Sequence, residues 1–148
     1  MKKYVLGFAF TPDLENVLLL KKTKPKWQEG KYNGLGGKMK TFETPVEAMV
    51  REFKEEADIE TIESDWHPVG KLSGLGGNNI DEDWDVYIFF AKINIPHLYL
   101  SDEGQTKDFP VKKLPTNEEQ ITNLNWIINA SRDPNVWIGK VYIVGSYA

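Results

Sequence analysis

The chain has 148 residues, a formal net charge of −4 and no cysteine. That is enough for one domain with a sizeable core, and too acidic overall for general attraction to nucleic-acid backbones or anionic membranes. Disulfides and thiolate metal sites are excluded, no apolar run approaches the roughly 18 residues of a membrane span, and no signal-peptide pattern follows Met1. The expectation is a single domain over residues 1–148, cytoplasmic, monomeric or homodimeric, whose partner is a small molecule and neither a nucleic acid polymer nor a membrane.

Tyr4–Phe10 (YVLGFAF) and Asn16–Leu20 (NVLLL) read as strands joined through the Thr11-Pro12-Asp13 turn, hence as a hairpin. Lys21, Lys22, Lys24 and Lys26 follow, which pattern alone reads as a solvated edge. Gly30–Lys38 (GKYNGLGGK) is glycine-rich, and Asn33-Gly34 inside it is an ordinary turn pair.

Thr44-Pro45-Val46-Glu47 opens a helix, with Thr44 as the cap and Pro45 at the first helical position. Val46, Met49, Val50, Phe53 and Ala57 make its apolar face, which puts Glu52, Glu55 and Glu56 together on one solvent-facing turn. Composition reads such a run as a solvated acidic face. Like charges at this spacing repel, however, and hard divalent cations are the counter-charge that carboxylates hold best.

Trp66–Leu72 and Asp85–Ile93 (DVYIFFAKI) read as further strands, separated by a loop over 73–79 and the acidic cluster Asp81, Glu82 and Asp83. His67 and His97 each adjoin a proline and have no metal-ligand spacing, which assigns them surface or packing roles. Ser101–Gln105 is a loop ahead of Lys107–Leu114. Leu114–Glu119 opens a second helix, capped by Thr116 or Asn117 and continuing to Ala130, with Trp126 in the core or a pocket wall. Arg132–Asn135 breaks it, and Val136–Val144 returns to strand pattern. Strands interleaved with two helices make the class α/β (α+β).

Gly37, Glu43, Arg51-Glu52, Phe53, Glu55-Glu56 and Ile59 stand at the spacing of a known motif. The pattern is Gly, five residues, Glu, seven residues, Arg-Glu, apolar, any, Glu-Glu, any, Gly, apolar. It resembles the box of the Nudix hydrolases, and a chance match is on the order of one in a million. One position departs: Asp58 stands where the family usually has Gly, so an acidic residue must make the left-handed helix exit, at the helix end least favourable to negative charge.

The resemblance implies the Nudix α/β/α sandwich, a mixed β-sheet between helices. It implies Mg2+, with Mn2+ as the alternative ion, held by Glu52, Glu55, Glu56, Glu103 (with Asp102 as the alternative to Glu103) and Gly37. Arg51 is expected to pair with Glu43 and complete the catalytic set. Similarity to the MutT-like branch turns Lys21 or Lys22, together with Lys38, toward substrate phosphates, and makes Asn33 and Asn117 base contacts. The activity implied is cleavage of a (d)NTP, 8-oxo-dGTP being the best single choice, to NMP and pyrophosphate. The alternatives are an ADP-ribose or dinucleotide pyrophosphatase and a non-catalytic nucleotide sensor. Against the former, the region after the box lacks the proline and tyrosine that often mark those subfamilies; against the latter, every box glutamate is present.

Overall fold

The computed structural model describes residues 1–74, 82–121 and 124–133, together with the backbone of Gly139–Ile143. Among the described residues nine strands run β1 (Lys2–Phe10), β2 (Asn16–Lys22), β3 (Tyr32–Asn33), β4 (Leu35–Lys38), β5 (His67–Gly74), β6 (Trp84–Lys92), β7 (Leu100–Ser101), β8 (Gly104–Pro110) and β9 (Gly139–Ile143). Helix α1 (Pro45–Ala57) follows β4, and α2 (Leu124–Ser131) follows β8. The strand order is β7-β8-β2-β1-β6-β5-β9, with β3 on β2 and β4 on β1. The sheet is mixed, since β1 runs parallel to β6 and β5 to β9 while β1–β2, β1–β4, β2–β8 and β5–β6 are antiparallel.

Alternation along the central strands makes two cores of one sheet. Phe8 and Phe10 of β1, Val17 and Leu19 of β2, and Trp84 and Ile88 of β6 pack with Leu124, Ile127 and Ile128 of α2. Val5, Ala9, Leu18, Leu20 and Phe89, one residue out of phase, pack with Ala48, Met49, Phe53 and Ala57 of α1. This is the expected sandwich, with β1 and β2 buried on both faces, which explains why their sequences read as continuous apolar runs.

The second helix begins later than the sequence suggests. The main chain of Glu119 and Ile121 is taken by Tyr32, whose N–H donates to the Glu119 carbonyl (2.8 Å) and whose carbonyl accepts from Ile121 (3.0 Å). Residues 116–119 instead form a turn, with the Glu119 carboxylate accepting from the Thr116 N–H and hydroxyl. Neither Thr116 nor Asn117 therefore caps α2. Trp126 is 53% exposed, on the outer side of a helix whose inward positions are Leu124, Ile127 and Ile128, and is neither core nor pocket wall. The strand expected at Trp66–Leu72 extends to Gly74, which takes Ser73 and Gly74 out of the predicted loop. The rest of that loop, with Asp81, lies outside the described residues, as do 134–138 and 144–148 on either side of β9. No helix among the described residues is long and apolar enough to cross a membrane.

Candidate metal and nucleotide site

Helix α1 starts as its sequence requires: the Thr44 hydroxyl accepts from the Glu47 N–H at 3.2 Å, and Pro45 occupies the first turn. Its three paired glutamates do not share a solvent-facing turn. Glu56 is 1% exposed and Glu52 is 8% exposed, and of the three only Glu55 reaches well into solvent. The reason lies opposite, where β4 presents two glycines. A Cβ on Gly37 would stand 2.7 Å from the carboxylate atoms of Glu52, so the missing side chain is the space the carboxylate occupies.

Glu56 Oε1 accepts from the Gly36 N–H at 2.7 Å, while its Oε2 is buried without a partner. Burial pushes Glu56 up to about 8, against the smaller opposing effects of that hydrogen bond and of Lys22. Burial also raises Glu52, partly offset by Arg51. Arg51 is the hub: Nε and Nη2 grip both oxygens of Glu43 (2.7 and 2.9 Å), Nη1 donates to Glu52 (2.7 Å) and Glu55 (3.4 Å), and Nη2 also donates to the Lys38 carbonyl (3.1 Å). The guanidinium fork lowers Glu43 to about 2. Glu103, on the turn between β7 and β8, pairs with Lys24 at 3.2 Å.

These residues suit a hard divalent ion. The donors are all carboxylate oxygens, and one of them, Glu56 Oε2, is buried with no hydrogen to accept, an arrangement that a cation relieves. Among the described residues, no three such side chains are already disposed around one ion position. Arg51 and Lys24 hold Glu52, Glu55 and Glu103 instead.

Glu52, Glu55 and Glu103 line a cleft of about 850 Å³, together with Lys22, Lys24 and Lys38. Its apolar lining is Tyr4, Leu6, Leu72, Trp84, Leu124 and Ile127, side chains of the core cluster packed on α2. Asn33 and Trp27 also line it. The Oδ1 of Asn33 accepts from the Gly34 N–H at 2.8 Å, which leaves its amide N–H groups as what Asn33 offers a ligand. Of the two lysines ending β2, alternation puts Lys22 on the α1 face and in the cleft; Lys21 shares the face of Val17 and Leu19 and does not line it. Asn117 does not line it either, and its Oδ1 accepts from Gln120 at 3.4 Å. Gly37 borders the cleft, Glu56 lies behind Gly36, and Glu43 acts on Arg51.

The sequence reading missed Lys24, Trp27 and the apolar wall. Trp27 carried a signal, as a lone large aromatic in the polar run from Lys24 to Lys31. The wall carried none, because β1, β5, β6 and α2 each supply one or two of its residues.

Asp58 makes the left-handed exit from α1 at φ 54°, ψ 40°, and its N–H donates to the Lys54 carbonyl. Its charge is met by Lys54 Nζ at 3.0 Å, and His97 Nε2 sits 3.2 Å from the Ala57 carbonyl at the same helix end. The exposed ion pair contributes little, against about 1 kcal/mol for a side chain in this conformation and an unfavourable helix-dipole contribution. Glycine's extra freedom in the unfolded chain takes back part of the difference. Asp58→Gly is therefore expected to stabilise by about 0.5 kcal/mol in urea unfolding; a loss of similar size would mean that the Lys54 pair dominates.

Helices α1 and α2 thus cover opposite faces of a mixed sheet, and carboxylates, lysines and apolar side chains line one cleft beside α1. Residues 2–127 match the family model of the NUDIX domain. The oxidized purine nucleoside triphosphate hydrolase of Danio rerio is 32% identical over 111 residues, covering 74% of this chain and 68% of that protein. A mutator MutT protein from Bacillus halodurans has the same fold at a TM-score of 0.77 and 21% identity, covering 100% of this chain and 94% of that one. A bifunctional NMN adenylyltransferase/ADP ribose pyrophosphatase from Francisella tularensis, complexed with AMP and a Mn ion, matches at 0.65 and 13% identity, over 86% of this chain and 40% of that one. The chain belongs to the Nudix family and is a hydrolase acting on phosphoric anhydrides, in a family that generally uses a divalent metal.

Proposed function

We propose that the protein is a Mg2+-dependent pyrophosphohydrolase that cleaves an oxidised purine nucleoside triphosphate, 8-oxo-dGTP being the best single choice, to the monophosphate and pyrophosphate. The observation that carries this reading is the buried, unpartnered Oε2 of Glu56 behind a cleft lined by carboxylates, lysines and apolar side chains. Glu52, Glu55, Glu56 and Glu103, with Gly37 at the edge, are assigned to the ion. A bound divalent ion supplies neutralisation of the phosphate oxygens and a more acidic water.

The protein's own groups do the rest. Glu52, raised by burial and facing the cleft, takes the proton of the attacking water. Lys22 and Lys38, which line the cleft with Glu52, Glu55 and Glu103, meet the phosphates. Arg51, braced by Glu43, fixes Glu52 against β4 and keeps α1 aligned with the glycines. The apolar wall takes the base, and Asn33 donates to a keto oxygen on its edge. The zebrafish relative's description as an oxidized purine nucleoside triphosphate hydrolase supports that choice of base. With Asn117 off the cleft, reading of the base falls to Asn33 among the expected pair.

The test is a panel of 8-oxo-dGTP, dGTP, the other dNTPs and ADP-ribose, with Mg2+ and chromatographic separation of products. The expected result is a kcat/KM for 8-oxo-dGTP at least about tenfold above that for dGTP, narrowed by Asn33→Ala. If ADP-ribose leads, the base assignment fails; if nothing turns over while a nucleotide binds, the protein is a sensor.

A further inference from the structure

Four carboxylates near one cleft repel one another, and in the absence of an ion the protein neutralises three of them with its own cations. Arg51 serves Glu52 and Glu55, and is itself anchored on Glu43. Glu103 depends on a different residue. Its carboxylate meets Lys24 Nζ at 3.2 Å, both side chains are partly exposed, and both line the cleft with Glu52 and Glu55.

The two partners are held in register by backbone. The Thr23 N–H donates to the Glu103 carbonyl and the Thr23 hydroxyl to the Asp102 carbonyl, each at 3.0 Å. The Glu103 N–H is taken by the Ser101 hydroxyl at 3.2 Å, and Lys22 pairs with Gly104 in the β2–β8 ladder. Residues 22–24 and 101–104 are thus one fastened unit that carries Lys24 and Glu103 side by side.

We infer that Lys24 is the built-in counter-ion of Glu103: the backbone fastens this carboxylate at the cleft, and Lys24 neutralises it there as the group a divalent cation displaces when it takes Glu103. The inference rests on the assignment of Glu103 to the metal site. It has a sign that a merely structural role lacks. If Lys24 only supported the turn, removing it would loosen Glu103 and weaken cation binding; if Lys24 competes, removing it strengthens cation binding.

The experiment titrates the full chain with Mn2+ alone, without nucleotide, following free Mn2+ by electron paramagnetic resonance. Lys24→Met is expected to tighten Mn2+ binding about two- to fivefold, the range of a partly exposed ion pair, while Lys24→Arg stays near the parent. Lys22→Met removes a cleft cation that forms no carboxylate ion pair among the described residues, and measures the through-space effect of charge. In a Glu103→Gln background, Lys24→Met is expected to do no more than Lys22→Met does. Unchanged or weaker Mn2+ binding by Lys24→Met overturns the inference, as does an equal tightening in the Glu103→Gln background. A parent protein that binds no Mn2+ overturns the metal assignment itself, an outcome separate from the other two.

Discussion

Glu56→Gln is expected to lower hydrolysis of the best substrate by at least about a hundredfold, while the metal-free protein stays as stable as the parent or gains stability. The two halves share one cause. Glu56 is fully buried, with one oxygen on the Gly36 N–H and the other unpartnered, so its charge is costly until something positive arrives. Gln keeps the acceptor for Gly36 and removes the charge, and with it the metal or acid–base contribution assigned to this position.

The pH dependence follows with its sign. The unfolded chain ionises Glu56 near 4.5 and the folded, metal-free chain near 8. Between these values the folded state holds a proton that the unfolded state has released, so stability is greatest at the acidic side and falls as pH rises through the window, by about 3 kcal/mol from pH 5 to 8. The variant should lack this slope in urea unfolding. Saturating Mg2+ should flatten it in the parent, because the ion binds the deprotonated carboxylate, and should have little effect on the variant's melting temperature. Activity within a factor of a few of the parent, or a variant clearly less stable at pH 8, would remove Glu56 from the site.

How far the site could be read from sequence depends on whether its geometry is local. The cap at Thr44, the apolar face of α1 and the spacing of Arg51, Glu52 and Glu56 are set within a few turns of one helix, and each appears as the periodicity implies. What the helix packs against is not local. The expectation that Glu52 and Glu56 face solvent fails because β4 brings Gly36 and Gly37 under them, a pairing decided by the β1–β4 register. Likewise, the late start of α2 comes from Tyr32 capturing the main chain of Glu119 and Ile121, a contact across almost ninety residues that no capping pattern reveals. The two-sided burial of β2 hid which of Lys21 and Lys22 faces the cleft, since Val17–Leu20 is apolar throughout. Once the face of Leu18 and Leu20 is known, alternation assigns Lys22.

The two glycines of β4 should fail in opposite ways. At Gly36, with φ at +155°, an added Cβ would lie 2.0 Å from the Val5 carbonyl oxygen and 2.7 Å from its carbon. Those atoms belong to the neighbouring strand, where Leu6 pairs with Gly36 and Val5 with Gly37, so relief requires β1 and β4 to part. Gly36→Ala should therefore cost more than about 3 kcal/mol in urea unfolding, beyond ordinary overpacking, and should also cost Glu56 its N–H donor. At Gly37 the atoms nearest the added Cβ are those of the Glu52 carboxylate, the far end of a side chain, at 2.7 Å. That carboxylate can swing away at a cost of about 1 kcal/mol, but only by leaving the position in which Arg51 holds it. Gly37→Ala should thus melt close to the parent and lose at least about tenfold in kcat, since small displacements of reacting groups are expensive. If Gly37→Ala is fully active, Glu52 does not act from the place where β4 seats it. If Gly36→Ala loses less than about 1 kcal/mol, the β1–β4 contact is looser than the 2.0 Å approach implies.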